Sequence, residues 1–169
     1  MVERQPRLGI DIGRVIINGP ADSRADTGFF TGDEAALLAT PEVPGAVDAI
    51  ARLLRRFDGR VWLVSKCGPR VQARTQQWLT GHDFFARTGL PAEQVRFCRR
   101  RVEKRAHCVA LGLTHFVDDR PEVHAAIKGV VTHQYLFGPQ AQPVPDYAVP
   151  ALTWADVERL IEESLAACR

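Results

Sequence analysis

Apolar runs alternate with amphipathic stretches along most of the chain. Runs rich in β-branched and other apolar residues cover positions 8–17, 60–65, 94–98, 114–117 and 130–137. Short apolar runs of this kind are typical of strands that are covered on both faces of a sheet. The pattern therefore predicts five strands.

Amphipathic segments follow each predicted strand. Helices are predicted over 44–57, 68–81, 102–113, 121–128 and 153–168. In the third helix, Val102, Ala106, Val109 and Leu113 recur at helical spacing and are expected to face the core. The segment 153–156 (TWAD) resembles a capping box and predicts where the last helix begins.

The order of these elements predicts an α/β fold. Alternating strands and helices are typical of a three-layer α/β/α, Rossmann-like parallel sheet, here of about five strands. The length fits one domain over 1–169. The segment 18–42 lacks clean periodicity and is predicted to be a long loop or a small flap, with Phe29 and Phe30 as flap or packing residues. A proline-rich connector is expected over 138–150.

Composition excludes few classes of function. A net charge of +2 is too small to imply a nucleic-acid or membrane partner by itself. No apolar run approaches the roughly 20 residues that span a bilayer, and the polar segment 1–7 does not resemble a signal peptide. The four cysteines form no CxxC pair, so we expect a cytoplasmic protein with reduced thiols. The five histidines show no metal-ligand spacing.

Four short motifs place polar residues within the first predicted strand, at the ends of two others and near a helix start. Asp11 lies in LGIDIGRVI, Ser65 in WLVSKCG, Lys104 in RRRVEKRAH and Asp118 in THFVDDRPEV. Each residue has a structural alternative when taken alone, such as a helix cap for Ser65 or Asp118. Ligands of open parallel sheets bind outside the carboxyl ends of the strands, so the four together indicate one site.

In this order, the four motifs resemble those of the haloacid dehalogenase (HAD) superfamily, and the match runs from about residue 7 to 137. The resemblance implies a Mg²⁺-dependent phosphohydrolase or phosphotransferase that forms an aspartyl phosphate. Asp11 would be the nucleophile, because a carboxylate can form a covalent intermediate with phosphorus. Ser65 and Lys104 would stabilise the transferring phosphoryl group.

The resemblance also implies a metal site. Mg²⁺ prefers oxygen ligands and often uses one or two carboxylates, which Asp11 and Asp118 can supply. The backbone carbonyl of Gly13 is the third ligand that the resemblance implies. Asp119 would bind the metal through water or orient Asp118.

Gly13 departs from the pattern of the family's phosphatases, which usually have a second Asp at this position as general acid and base. Loss of such a group typically costs 10²–10⁴-fold in rate. The alternative is therefore a weak or inactive protein that binds a phosphorylated ligand or partner. Nucleophilic substitution at carbon is disfavoured, because Asp118 and Asp119 suit a cation. Arg14 either faces the site, lies on the surface or pairs with a nearby carboxylate. Lys66 is a possible site residue, and the thiol of Cys67 beside it is either reactive or buried and inert.

The chain resembles the capless branch of the superfamily. The intervals between Asp11 and Ser65 and between Ser65 and Lys104 are too short for a full cap domain. An uncapped site admits a phosphorylated small molecule or macromolecule, or is closed by a second copy in a homo-oligomer. A basic cluster surrounds the third motif, and without a nucleic-acid motif we rank nucleic acid low as a partner. Its members are Arg96, Arg99, Arg100, Arg101, Lys104 and Arg105.

Overall fold

A parallel sheet of six strands forms the centre of the protein. The structure is a computed structural model that describes residues 4–19 and 32–168. The strands are β1 (Leu8–Ile10), β2 (Val61–Lys66), β3 (Val95–Cys98), β4 (His115–Asp118), β5 (His133–Phe137) and β6 (Val149–Ala151). They pair in the order β3-β2-β1-β4-β5-β6, and every pairing is parallel.

Helices cover both faces of this sheet. They are α1 (Glu34–Ala39), α2 (Ala46–Arg56), α3 (Pro69–Gly81), α4 (Phe84–Thr88), α5 (Glu103–Leu111), α6 (Pro121–Ile127) and α7 (Trp154–Ala167). Successive strand residues point to opposite faces, so Leu63 joins the core under α2 and α7, and Val64 joins the core under α5 and α6. The predicted three-layer α/β/α class is confirmed, and the described ranges contain no large cap domain.

The predicted first strand, 8–17, is too long. Only Leu8–Ile10 pairs in the sheet, and the chain then turns tightly. The carbonyl of Ile12 accepts hydrogen bonds from the N–H groups of Val15, Ile16 and Ile17 at 2.8–3.3 Å. These three apolar residues are buried because the chain turns into the core, and not because they form a strand. Their apolar character alone does not distinguish a buried turn from a buried strand.

Two α-helices and one strand were not predicted. The helix α1 lies inside the segment expected to be a loop, and Asp33 caps it by accepting a hydrogen bond from the N–H of Ala36 at 2.9 Å. The helix α4 was unassigned, and β6 lies in the expected connector. Pro150 is tolerated in β6 because this is an edge strand. Phe29 and Phe30 lie outside the described residues.

The predicted buried face of the third helix is wrong for its valines, although Leu113, just after α5, is buried as expected. Val102 and Val109 are each 61% exposed, whereas Lys104 and Cys108 are buried. The helix is rotated so that a lysine, rather than the valines, points inward. A hydrophobicity pattern cannot predict this orientation, because it assigns Lys to the solvent side.

Close packing explains the glycine in the central strand. A Cβ atom at Gly9 would lie 2.6 Å from side-chain atoms of Leu113 and Phe116.

The predicted capping box at the start of the last helix is confirmed, and it is formed between Thr153 and Asp156. No helix within the described part of the chain is both long and apolar enough to cross a membrane.

Candidate active site

The carboxyl ends of three neighbouring strands bring the candidate residues together. Asp11 follows β1, Ser65 lies near the end of β2, and Asp118 is the last residue of β4. Because β1 pairs with both β2 and β4, these side chains meet at one edge of the sheet. Asp11 and Ser65 line a small cavity of about 30 Å³ there, together with Lys104 from α5.

A buried ammonium group links the two carboxylates of the site. The Nζ of Lys104 lies 2.7 Å from Oδ1 of Asp11 and 2.7 Å from Oδ2 of Asp118, and it donates hydrogen bonds to both. The three side chains are between 0% and 10% exposed. Burial by itself lowers the pKa of Lys104, but the two carboxylates outweigh it and raise this pKa above its usual range. Lys104 is therefore protonated at neutral pH.

A third carboxylate, that of Asp119, completes an acidic cluster. One oxygen each from Asp11, Asp118 and Asp119 lies within 4.8 Å of the others. Burial, and then repulsion from Asp118, raises the pKa of Asp11, and Lys104 opposes the rise. Burial, and then the charges of Asp11 and Asp118, raises the pKa of Asp119. Burial and mutual repulsion thus favour the protonated forms of Asp11 and Asp119, while the charges of Lys104 and Arg120 oppose this.

A buried polar network fixes the position of Asp118. Its Oδ1 accepts a hydrogen bond of 2.9 Å from the N–H of Arg120. Its carbonyl lies 2.9 Å from Nε2 of His124, which must be the donor because a carbonyl only accepts. Gln134 then donates to Nδ1 of His124 at 3.1 Å and to its carbonyl at 2.8 Å. Burial lowers the pKa of His124, so the neutral ring with a proton on Nε2 is the favoured form.

The turn after β1 places Gly13 and Arg14 on the cavity wall. Arg14 has a φ of 61°, in the left-handed region that residues other than glycine rarely adopt, whereas Gly13 lies outside that region. The indole N–H of Trp154 donates to the carbonyl of Val15 at 2.8 Å and anchors the turn to α7. Position 13 therefore brings backbone, and no carboxylate, to the site.

The predicted basic cluster is mostly used for structure. Arg99 donates to the carbonyl of Cys67 at 2.7 Å, Arg100 pairs with Glu103 at 3.1 Å, and Arg105 donates to carbonyl groups at the end of α6. Arg101 differs from these neighbours because its side chain lines the cavity.

Sequence reasoning missed Arg120, which also lines the cavity. Its position directly after the Asp118-Asp119 pair was the available indication. Lys66, at the end of β2, is on the wall as well. Cys67 lines the cavity too, but burial raises the pKa of its thiol to about 11, which argues against a reactive thiolate.

Comparison with known proteins supports the fold. No family model and no curated protein sequence matches the chain. A solved structure of a HAD family hydrolase from Deinococcus radiodurans, with bound phosphate and sodium, is similar with a TM-score of 0.59. The similarity covers 98% of this chain and 97% of that chain at 13% sequence identity. The chain therefore has a HAD-like fold, as its four motifs predicted.

Proposed function

We propose that this protein is a Mg²⁺-dependent phosphohydrolase or phosphotransferase that forms an aspartyl phosphate on Asp11. The observation that supports it best is the buried arrangement of Asp11, Lys104 and Asp118, with Lys104 2.7 Å from each carboxylate. The fold is that of a hydrolase solved with bound phosphate and sodium, which is consistent with phosphate chemistry at this edge of the sheet.

The acidic cluster fits a divalent metal. Three carboxyl groups offer oxygen atoms within 4.8 Å of one another, and two of them, Asp11 and Asp118, share one ammonium group. Hard oxygen donors of this kind suit Mg²⁺. We assign Asp11, Asp118 and the carbonyl of Gly13 as its ligands, with Asp119 acting through water or orienting Asp118. When bound, Mg²⁺ neutralises negative charge on the transferring phosphoryl group.

In the first half-reaction, a carboxylate oxygen of Asp11 attacks the phosphorus atom of a phosphate monoester. The new O–P bond forms as the ester P–O bond breaks, and the leaving oxygen takes a proton from water. Lys104 keeps Asp11 in place through the 2.7 Å contact and offsets charge on the phosphoryl oxygens. The hydroxyl of Ser65, on the cavity wall, donates to those oxygens.

In the second half-reaction, water attacks the phosphorus atom of the aspartyl phosphate. The bond between Asp11 and phosphorus breaks, which regenerates the carboxylate and releases inorganic phosphate. An acceptor alcohol in place of water gives a phosphotransferase. No step uses a side chain at position 13, so protonation of the leaving group depends on solvent.

Gly13 supports a second candidate, a protein that binds a phosphorylated ligand or partner with little turnover. The position that would hold a general acid offers only backbone, and such a group typically contributes 10²–10⁴-fold. This candidate retains the metal and phosphate sites and lacks efficient catalysis. The two candidates differ in turnover rather than in binding.

A phosphatase assay separates the two candidates. Purified protein with Mg²⁺ is tested on a panel of phosphate monoesters, with Asp11→Asn as the inactive control, because an amide is a poor nucleophile. The enzyme candidate predicts Mg²⁺-dependent phosphate release that is lost in Asp11→Asn. Equal release from both proteins would refute the covalent mechanism, and binding of phosphate without release would favour the second candidate.

A Gly13→Asp variant tests the missing acid. Turnover of an alkyl phosphate should rise more than turnover of p-nitrophenyl phosphate, because an alkoxide needs a proton and p-nitrophenolate scarcely does. Gly13 lies outside the left-handed region, so backbone conformation does not oppose the change. The comparison is made at saturating Mg²⁺, which offsets the added negative charge. Equal effects on the two substrates would show that position 13 is not the missing acid.

A further inference from the structure

A buried threonine of α3 lies on the wall of the active-site cavity. Thr75 is only 2% exposed, yet it lines this cavity together with Asp11 and Ser65. Val71, one helical turn earlier, lines the cavity as well, so one face of α3 forms a side of the site. The next buried residue of this helix, Trp78, belongs to the apolar core. The helix therefore holds a single hydroxyl group at the border between the core and the cavity.

The hydroxyl group of Thr75 has no hydrogen-bond partner among the residues that the structure describes. A helical threonine can donate to the carbonyl group four residues earlier. Two other threonines do so here, since Thr40 donates to the carbonyl of Ala36 at 3.2 Å and Thr88 to that of Phe84 at 2.8 Å. Thr75 makes no such bond, so its hydroxyl can serve a molecule in the cavity.

This unpaired hydroxyl is also open to the cavity. Thr75 is not one of the described residues whose unpaired side-chain atoms are fully enclosed by protein. A buried hydroxyl without any hydrogen bond destabilises a protein, and a water molecule or a ligand that bonds to it removes this cost. The position of Thr75 therefore favours a hydrogen-bonding partner that occupies the cavity.

The size of the cavity indicates which partner fits. Its volume of about 30 Å³ has room for about two water molecules. Space of this size suits the oxygen atoms of a phosphoryl group better than the organic part of a substrate. A polar group deep on this wall is thus expected to contact phosphoryl oxygen atoms.

The assigned donors also leave a role for another hydroxyl. Lys104 uses two of its three N–H donors on Asp11 and Asp118, which leaves one for a ligand. Ser65 offers one O–H donor. These two donors face three non-bridging oxygen atoms, each of which accepts more than one hydrogen bond. Because a buried anion must be well hydrogen-bonded, a donor from Thr75 would stabilise it.

We propose that Thr75 is a substrate-binding residue whose hydroxyl group donates a hydrogen bond to a non-bridging oxygen of the phosphoryl group. This inference rests on the proposed function for the presence of a phosphoryl group in the cavity. Thr75 acts by binding alone, so no covalent bond forms at this residue and its proton stays on the hydroxyl.

The affinity for inorganic phosphate tests this proposal without catalysis. Calorimetry at fixed Mg²⁺ compares the wild type with Thr75→Val and Thr75→Ser. Valine keeps the shape of threonine without the hydroxyl, so Thr75→Val should weaken binding about tenfold, the size of one hydrogen bond to a charged group. Thr75→Ser keeps the hydroxyl and should retain most of the affinity. Unchanged affinity in Thr75→Val, equal losses in both variants, or no phosphate binding by the wild type would overturn the proposal.

Thr88→Val is the matched control. The Thr88 hydroxyl is also buried, but it donates to the carbonyl of Phe84 and accepts from the N–H of Leu90, away from the cavity wall. This variant should unfold at a lower urea concentration and bind phosphate like the wild type. Thr75→Val should show the opposite, because it loses no hydrogen bond within the protein. An equal fall of the urea midpoint in both variants, measured without phosphate, would show that the Thr75 hydroxyl is paired within the protein and overturn the proposal.

Turnover distinguishes this inference from the proposed function. The hydroxyl acts on the transferring group, so Thr75→Val should lower kcat/KM by a similar factor for an alkyl phosphate and for p-nitrophenyl phosphate. Wild-type kcat/KM in this variant would retain the enzyme and overturn the role of Thr75. A loss confined to the alkyl phosphate would place the hydroxyl at the leaving oxygen and overturn that role as well. Phosphate binding that depends on Thr75, without turnover by the wild type, would support this inference and refute the enzyme.

Discussion

Replacement of Lys104 by Met should destabilise the protein strongly. Methionine retains most of the apolar stem but removes an ammonium group that lies 2.7 Å from oxygen atoms of both Asp11 and Asp118. The carboxylates of Asp11 and Asp118 then face each other without the ammonium group that both contact. Removal of one partner from a buried ion pair typically costs about 3–5 kcal/mol, because the remaining charge stays buried. We expect a loss of this size for Lys104→Met without metal.

Urea unfolding at neutral pH measures this loss. Lys128→Met is the control, since Lys128 is exposed and its ammonium group lies over the ring of Tyr147, 4.9 Å from the centroid. A cation–π contact at such a position contributes about 0.5–1 kcal/mol. The Lys104 variant should therefore be destabilised by several times as much as the control.

Two further measurements show whether charge is the cause. Introducing Asp118→Asn into the Lys104→Met protein should recover part of the lost stability, because one uncompensated carboxylate is removed. Millimolar Mg²⁺ should stabilise Lys104→Met more than the wild type, and a ligand at 100 times its Kd contributes about 2.7 kcal/mol. A loss below about 1 kcal/mol, or no recovery by Asp118→Asn, would refute the electrostatic account of the site.

Two other predictions concern the fold. Gly9→Ala should lower the free energy of unfolding by about 1–3 kcal/mol in a denaturation experiment, because the new Cβ would lie 2.6 Å from Leu113 and Phe116; an unchanged midpoint would contradict the packing. Burial lowers the pKa of His115 from 6.5 to about 3. Between these two values, His115 is protonated in the unfolded state but not in the folded state. The free energy of unfolding therefore falls as the pH is lowered from about 6.5 to about 3. At pH 5 the free energy of unfolding has fallen by about 2 kcal/mol. His115→Gln should reduce the difference in stability between pH 7 and pH 5 by that amount. An equal difference in the wild type and the variant would contradict this role of His115.

The sequence was sufficient to predict the α/β architecture and the proximity of Asp11, Ser65 and Asp118, although it missed Arg120. Asp11 interrupts one apolar run, Ser65 and Asp118 lie at the ends of two others, and parallel strands bring their carboxyl ends to one edge of the sheet. The position of Lys104 was predicted through the motif resemblance alone. Its helix shows no apolar pattern that would turn this residue inward.

Other features depend on tertiary contacts that periodicity does not encode. The apolar residues of 15–17 look like strand but are buried in a turn that is closed by the carbonyl of Ile12. The strand β6 contains Pro150, a residue that disfavours strand assignment except at an edge. In the sequence, Arg101 resembles its basic neighbours. Only the folded structure shows that Arg101 lines the cavity, whereas Arg99, Arg100 and Arg105 make structural contacts.

The central claim, that Asp11 is a nucleophile in a Mg²⁺-dependent phosphoryl-transfer site, is tested most directly by a crystal structure with Mg²⁺ and BeF₃⁻. This account predicts BeF₃⁻ attached to a carboxylate oxygen of Asp11, within hydrogen-bond distance of Ser65 and Lys104, with Mg²⁺ bound by Asp11, Asp118 and the carbonyl of Gly13. A structure in which BeF₃⁻ lies elsewhere, or in which Mg²⁺ does not contact Asp118, would contradict it.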